Sequence, residues 1–501
     1  MSNIRVTYSG LISLALGLSS TVTGLIFILI VTRSISQTEL GVWTLIGGLF
    51  TYVLVIEPII SYWSLRQVAR GNETGKTAII SSGIFSIFGL IGYILISFLT
   101  FEKTNTSIDI LLYAIPLVPL HFLNRTMSTI ALGWKPQLDA YGIIILDLLK
   151  IPTAIIFIYY LDLGLTGVIN SMIISYSITI TILVYLSRDR FRNKFSMSYV
   201  KSWLKFSWIP IFSRFPGMIV FDVMIFSVIT GSVTGLAYWT TALTASSLTR
   251  HTNQLAKALY AKLLGGGKKQ HLQENLQLFF YFSFPFMAIS ITFSKPILFA
   301  LNPIYAVGAL IVVILTLRGF LSNLDHIFFS ALRGIETVDV KDESTFKDYL
   351  KSNLFKIPKI RFIHKIVYWA TLSFGLFFFV DIIQKEVELV VLWALITLFS
   401  QLPFTFYFFL QTKNQFPFNV DLKRVVKYIL ATLVIYIPTF VFVENYLIYE
   451  VSIFEFLPKL IGLIMLTFSA YVLLTYVIEK NSRKLINMVV LELKSWRKND
   501  Q

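Results

Sequence analysis

The chain has 501 residues, of which 55% are hydrophobic, 15% are aromatic and only 14% are charged, with a formal net charge of +16. A soluble chain carries about 25% charged residues, so this composition excludes an ordinary soluble protein. Cytoplasmic loops of membrane proteins collect Lys and Arg, so the positive charge does not imply a nucleic-acid partner, and we expect none. The absence of cysteine excludes disulfides, a thiol nucleophile and a thiolate metal site.

About fourteen apolar stretches are each long enough to cross a bilayer, which takes roughly 20 residues. They predict an all-α polytopic membrane protein of about fourteen transmembrane helices. The predicted spans are roughly residues 10–31, 40–62, 78–100, 110–132, 140–161, 164–186, 207–229, 236–260, 276–294, 304–332, 366–383, 387–410, 428–449 and 460–478.

The loops predict the orientation. With a cytoplasmic N-terminus, the inner loops and tails hold 32 of the 43 Lys and Arg residues, and the outer loops hold five. This bias predicts that both termini and the polar insert, residues 335–361, are cytoplasmic and that the protein lies in the plasma membrane. Residues 343–355 predict a short surface helix that ends before Pro358. The tail, residues 481–498, predicts either an amphipathic helix on an anionic leaflet or an ordinary soluble helix.

Six cations lie inside the predicted spans, where each would cost about 2.5–3.5 kcal/mol if it faced lipid at the centre of a span. They must therefore face water, carboxylates or an anionic substrate. The cations are Arg125, Lys150, Arg214, Arg250, Lys257 and Arg318, and the deep acids are Glu57, Asp147, Asp222 and Asp325. The excess of positive charge suits a phosphate or pyrophosphate head group, whose oxygens Arg binds through a planar fork.

Each cation also has a structural interpretation. Asp147 and Lys150 are three residues apart on one helix face and can neutralise each other. Lys257 can extend to the inner interface. Arg250 lies near mid-bilayer among hydroxyl and amide side chains, which favours substrate contact.

The deep acids leave alternatives open as well. Asp222 can bind a coupling proton or Na⁺, or pair with Arg214 or Arg250. Glu57 precedes Pro58, where the helix either breaks to expose backbone carbonyls or only kinks. Because there is no His and acid cluster of ligand spacing, we expect neither a metal site nor a cofactor.

A weak internal repeat relates residues 40–44 to residues 235–240, about 195 residues apart. It predicts two six-span lobes related by an axis along the membrane normal. Arg125 and Asp325 then occupy matching positions and could form a cross-lobe ion pair, either a gate or a static tie. The predicted segments are 1–195 for the N-terminal lobe, 196–362 and 363–412 for the C-terminal lobe, and 413–501 for two added spans and a basic tail.

Four stretches, in their order and spacing, resemble one known family. They are Thr32–Trp43 (TRSISQTELGVW), Lys205–Pro210 (KFSWIP) followed by Asp222, Gly235–Ala245, and Asn302–Ala306 (NPIYA) running on to Leu332-Arg333-Gly334. Residues 1 to about 335 resemble the polysaccharide and lipid-linked oligosaccharide flippases of the multidrug/oligosaccharidyl-lipid/polysaccharide (MOP) exporter superfamily. Spans 11–14 match only in number and placement, and the insert at 335–361 is longer than the family's loop.

The resemblance implies a non-enzymatic flippase that carries an isoprenoid-pyrophosphate-linked glycan to the outer leaflet by alternating access. It implies a lipid-linked glycan and membrane lipids as partners, and we expect a monomer that can associate with glycan-assembly enzymes. One alternative is an ion-coupled multidrug exporter of the same fold, whose cationic substrates call for an acidic cavity. Another is a membrane glycosyltransferase or polymerase, which requires catalytic carboxylates and a substantial outer loop or soluble domain.

Overall fold

The computed structural model describes residues 23–208, 210–212, 220–253, 259, 263, 269–336 and 346–487. Within these ranges every regular element is a helix. Long apolar runs favour helices because a helix satisfies its own backbone hydrogen bonds within lipid. The protein is therefore all-α, as the sequence predicts.

The helices follow one another with short connections. Those of the first half are α1 (Thr23–Ser34), α2 (Gln37–Val53), α3 (Pro58–Ala69), α4 (Gly75–Thr100), α5 (Ile108–Tyr113), α6 (Leu117–Trp134), α7 (Pro136–Ala154), α8 (Gly164–Leu186), α9 (Met197–Lys205), α10 (Phe221–Thr230) and α11 (Thr234–Ala245). Those of the second half are α12 (Lys269–Thr292), α13 (Ser294–Leu301), α14 (Ala309–Gly334), α15 (Phe346–Lys351), α16 (Asn353–Phe379), α17 (Glu386–Gln415), α18 (Leu422–Tyr446) and α19 (Ile453–Ile478).

In the described part of the chain, eleven helices are long and apolar enough to cross a membrane, and two shorter apolar helices are α1 and α10. These occupy the places of thirteen predicted spans. The remaining predicted span, 236–260, coincides with α11 and its 3₁₀ continuation over Ser246–Asn253. The polytopic membrane fold predicted from the sequence is thus confirmed.

Helix α4 shows how the sequence selects a lipid-facing surface. Its large apolar side chains recur every three or four residues, so they share one helix face. That face is exposed, and it includes Ile84, Ile87, Phe88, Ile91 and Leu95, which are 48–61% accessible. Small residues such as Ser82, Ser86 and Gly89 lie on the opposite, buried face. In water such a surface would be costly, but lipid tails solvate it.

The predicted helix stop at Pro358 is wrong. Helix α16 begins at Asn353 and runs through Pro358, which is buried within it. Helices α7, α12, α17, α18 and α19 also contain an internal proline. Neighbouring helices and local adjustments re-satisfy the freed backbone groups in membrane helices, so proline does not end them. The predicted short helix at 343–355 corresponds to α15, while residues 337–345 lie outside the described ranges.

The chain forms two compact units. Unit N contains the described residues of Ser19–Thr240 and Phe355–Ile396, and unit C contains those of Thr241–Leu354 and Thr397–Gln501. The units are defined by chain contacts and not by symmetry. The lobe boundaries predicted at 195, 362 and 412 therefore stay predictions.

Candidate functional site

Arg250 lies in a backbone segment that departs from regular α-helix. Helix α11 ends at Ala245, and residues Ser246–Asn253 form 3₁₀ turns. Two buried threonines beside Arg250 donate to preceding carbonyls, from Thr249 Oγ1 to Ser246 O at 3.0 Å and from Thr252 Oγ1 to Thr249 O at 2.8 Å. Such back-bonding bends helices. The segment turns both threonines inward and leaves the Arg250 side chain exposed.

Asn323 of α14 fixes this segment. Its side-chain amide, 3% exposed, donates to the Thr249 carbonyl at 2.6 Å and to Thr252 Oγ1 at 3.1 Å. Gly319, one turn earlier, admits the Thr249 hydroxyl, since a Cβ there would lie 3.0 Å from Thr249 Oγ1. Residues on two helices thus determine the position of Arg250. The sequence carries no local signal for Asn323, because 71–74 residues separate it from its partners.

Arg318 lies on α14 beside Gly319 and is close enough to Arg250 for the two guanidinium groups to interact electrostatically. Neither arginine forms a salt bridge with any carboxylate in the part of the chain that the structure describes. Two neighbouring cations repel each other, and the repulsion is strong where water is scarce. An anion between or beside them relieves it. This arginine pair is the anion site that unit C offers.

Asp325, also on α14, is 2% exposed and accepts a hydrogen bond from Gln401 Nε2 of α17. Its described hydrogen bond is therefore made inside unit C. Arg125, on α6 of unit N, is exposed. The cross-lobe ion pair between Arg125 and Asp325 stays a prediction.

Lys150 and Asp147 form an ion pair in unit N, with Lys150 Nζ 2.8 Å from Asp147 Oδ1. His121 lies close to Lys150, and its ring centroid is 4.7 Å from that of Tyr176. The structural interpretation of this pair thus describes the observed geometry. Because the paired charges cancel, Lys150 is a weaker candidate for a head-group ligand than Arg250 or Arg318.

Asp222 occupies a buried polar site in unit N. Tyr368 of α16 donates its hydroxyl to Asp222 Oδ2 at 2.9 Å, and Trp393 of α17 donates its indole N–H to the Tyr368 hydroxyl at 2.8 Å. Among the described residues, Asp222 Oδ1 has no hydrogen-bond partner. A carboxylate with one free oxygen can take up a proton or contribute to a cation site.

Close packing holds the Asp222 site in place. The ring of Trp393 stacks on Trp239 at 3.7 Å between centroids and also on Phe226 at 5.1 Å. Gly235 permits this contact, since a Cβ there would lie 2.5 Å from the Phe226 ring. The sequence indicated Asp222 alone, because Tyr368 and Trp393 lie 146 or more residues away and carry no local signal.

Glu57 lies at an interruption of the helix. Helix α2 ends at Val53, a 3₁₀ turn covers Leu54–Ile56, and α3 starts at Pro58. Glu57 itself keeps helical dihedral angles and its carbonyl accepts from Ile60 N at 3.0 Å. This geometry fits the kink better than an open break that exposes carbonyls.

Arg214 and Lys257 lie outside the described residues. Within the described ranges no group of three His, Cys, Asp or Glu residues could hold a metal ion.

The fold has counterparts among solved structures. Over 95% of this chain and 100% of the other, it superposes on the lipid II flippase MurJ in an inward closed conformation, with a TM-score of 0.63 and 12% identity. The chain has the MOP-superfamily fold. An inward-facing multidrug resistance MATE transporter of the MOP superfamily matches with a TM-score of 0.60 and 14% identity, over 79% of this chain and 95% of that one.

A third match has the same fold. It is a MOP-superfamily transporter from Pyrococcus furiosus described as having a binding pocket of reverse polarity, with a TM-score of 0.50 and 14% identity, covering 81% of this chain and 95% of that chain. No protein-family model and no curated protein sequence matches this chain. At these identities the matches establish the MOP fold, while substrate must be argued from the site.

Proposed function

We propose that this MOP-fold protein is a flippase that moves an isoprenoid-pyrophosphate-linked oligosaccharide from the cytoplasmic to the outer leaflet by alternating access. The observation that carries the proposal is the arginine pair, Arg250 and Arg318. Both side chains lie in unit C without a described carboxylate partner. A pyrophosphate diester presents several anionic oxygens, which match the bidentate donors of two guanidinium groups.

The coverage of the chain supports a flippase over a shorter transporter. The lipid II flippase structure is matched over its full length and takes in 95% of this chain, including α18 and α19. The MATE structure takes in 79%. A flippase only moves its substrate, so this proposal includes no catalytic residue and no cofactor.

Coupling to an ion gradient is part of the proposal. Asp222 is buried, has one oxygen without a described hydrogen-bond partner, and is held by Tyr368. Binding of H⁺ or Na⁺ would neutralise a charge that is costly to bury, so the bound and free forms favour different conformations. Asp325 and Glu57, the other buried acids, are proposed to act in gating.

A multidrug exporter of the same fold is the second candidate, since MATE structures share the fold. Cationic drugs require an acidic surface, and the unpaired charges described around Arg250 are positive. Charge therefore favours the anionic substrate. A glycosyltransferase or polymerase would need catalytic carboxylates at an accessible site, and the described intramembrane acids in unit C are limited to the buried Asp325.

The test uses purified protein in proteoliposomes and a fluorescent isoprenoid-pyrophosphate-linked disaccharide whose leaflet is read by an impermeant quencher. We expect transbilayer movement with the wild-type protein and its loss with Arg250→Ala. Arg250→Lys should restore only part of the rate, because an ammonium lacks the planar fork. Lys413→Ala, which removes an exposed cation from the same unit, is the matched control and should leave the rate unchanged.

A cationic dye in the same vesicles distinguishes the two candidates. Dye export with no movement of the pyrophosphate lipid would reject the flippase in favour of the exporter. Full pyrophosphate-lipid transport by Arg250→Ala and by Arg318→Ala would remove the arginine pair from the binding site.

A further inference from the structure

A second concentration of positive charge lies where α18 begins and α19 ends. Lys423 and Lys427 lie in the first two turns of α18, and Lys480, Arg483 and Lys484 follow the last residue of α19. All five side chains are exposed. We refer to these five residues as the basic patch.

Hydrogen bonds bring the basic patch together at the C-terminus of α19. Lys427 Nζ is 3.5 Å from the Ile478 carbonyl oxygen. Arg483 donates from Nε to Tyr476 O at 3.2 Å and from Nη2 to Val477 O at 3.0 Å. The last carbonyls of a helix carry partial negative charge and attract cations. Patch residues of both helices therefore converge on one helix end.

The segment that carries Arg483 and Lys484 is firmly placed. Glu479 Oε2 accepts from the backbone N–H of Asn481 and of Ser482, each at 2.7 Å, so it caps the turn that follows. Leu485 is 8% exposed and packs in one apolar cluster with Tyr428 and Tyr471. The patch is thus a built surface whose cations keep defined positions.

Nearby acids are already used by another residue. Arg424 Nε lies 2.8 Å from Asp421 Oδ2 and 3.9 Å from Glu479 Oε1, and its Nη1 donates to Gln277 at 2.9 Å. In the described ranges no salt bridge reaches any of the five patch cations. The positive charge of the patch is therefore left to an external anion.

An exposed apolar surface continues from the patch along both helices. On α18 it consists of Leu422, Val426 and Leu430, which are 70%, 51% and 54% exposed. On α19 it consists of Leu473 and Val477, 67% and 68% exposed. The four-residue spacing places each set on one helix face. A ligand that covers both surfaces has an anionic head and apolar chains.

We propose that the basic patch binds the phosphate head group of an anionic membrane phospholipid, whose acyl chains lie along the exposed faces of α18 and α19. A free phosphate would contact the cations and leave the apolar surface to other lipids. A polybasic surface at a membrane gains about fivefold in affinity for anionic lipid per cation. This site is separate from the arginine pair and does not depend on the proposed transport activity.

The test is native mass spectrometry of the full-length protein released from nanodiscs of equal phosphatidylcholine and phosphatidylglycerol with the same acyl chains. The wild-type protein should retain phosphatidylglycerol in preference. The variant Lys423→Gln/Lys480→Gln/Lys484→Gln leaves the hydrogen bonds of Lys427 and Arg483 in place. It should lose about 100-fold in retention, at about fivefold per cation. The control Lys194→Gln/Lys201→Gln/Lys205→Gln removes three exposed cations elsewhere and should retain the lipid as the wild type does.

Two competitors distinguish the sources of the anion. Inorganic phosphate at millimolar concentration should not displace the lipid, and a polyprenyl pyrophosphate should bind the patch variant as well as the wild type. Equal lipid retention by the patch variant and the wild type would overturn the proposal. So would displacement by phosphate, or a patch variant that loses polyprenyl pyrophosphate but keeps phosphatidylglycerol. A thermal unfolding midpoint within about 2 °C of the wild type, well under the shift that 1 kcal/mol produces in a small domain, confirms that each variant is folded.

Discussion

The side-chain amide of Asn323 donates a hydrogen bond to the backbone carbonyl of Thr249, at 2.6 Å, one residue before Arg250. The bond connects α14 to the 3₁₀ segment and is buried. It therefore fixes the backbone from which the Arg250 side chain extends. Because Arg318 lies on the same helix as Asn323, one helix controls the positions of both arginines.

The first prediction concerns this bond. Asn323→Leu keeps the side-chain volume but leaves the buried Thr249 carbonyl without its donor, which costs about 1–3 kcal/mol. We expect a lower thermal unfolding midpoint and, in the flipping assay, a raised apparent KM, because Arg250 no longer keeps one position. Asn445→Leu is the control, since the Asn445 amide donates to the Val441 carbonyl at 2.8 Å on the exposed surface. An unchanged KM in Asn323→Leu would show that Asn323 does not position Arg250.

The second prediction concerns the Asp222 site. Asp222→Asn cannot take up a proton or supply a full negative charge to Na⁺, so transport should no longer respond to an imposed H⁺ or Na⁺ gradient. Tyr368→Phe removes the donor to Asp222 Oδ2, a bond to a charged group that contributes about 1.5–3 kcal/mol, and should weaken the response. Tyr407→Phe, at an exposed position, is the control. Gradient-driven transport by Asp222→Asn at the wild-type rate would exclude Asp222 from coupling.

The third prediction is the cross-lobe ion pair. Neutralising either Arg125 or Asp325 alone should slow transport, because the remaining charge loses its partner in a poorly hydrated place. The exchange Arg125→Asp with Asp325→Arg should restore much of the rate, and a double-mutant cycle would measure the coupling. Gln401→Leu separates the gate from the local hydrogen bond that Asp325 accepts inside unit C. Additive effects of the two single changes would refute the gate.

The fourth prediction is topological. Because the chain contains no cysteine, single cysteines report cleanly on sidedness. Asn487→Cys, exposed after α19, should resist an impermeant thiol reagent in intact cells, and Asn445→Cys, exposed at the end of α18, should react with it. Labelling of Asn487→Cys from outside would reverse the predicted orientation and the direction of transport.

The sequence by itself determined the membrane class, the helix positions and the residues with unusual charge. Hydrophobic length and periodicity act locally, so stretches such as Gly164–Leu186 coincide with the predicted span. The cost of placing a charge in an apolar span is also a local property, which is why the sequence alone indicates Arg250 and Asp222. The prediction at Pro358 is wrong because the effect of a proline in a membrane helix depends on the neighbouring helices.

Only the tertiary structure decided which partner each charge has. Asp147 finds Lys150 one helical turn away, which spacing could suggest. Tyr368 reaches Asp222, Asn323 reaches Thr249 and Gln401 reaches Asp325 across 74–146 residues of chain. Helices of similar apolar composition can pack in many ways, and only their packing determines which polar side chains meet. The arginine pair remained without a described carboxylate by the same process, and this makes it the candidate anion site.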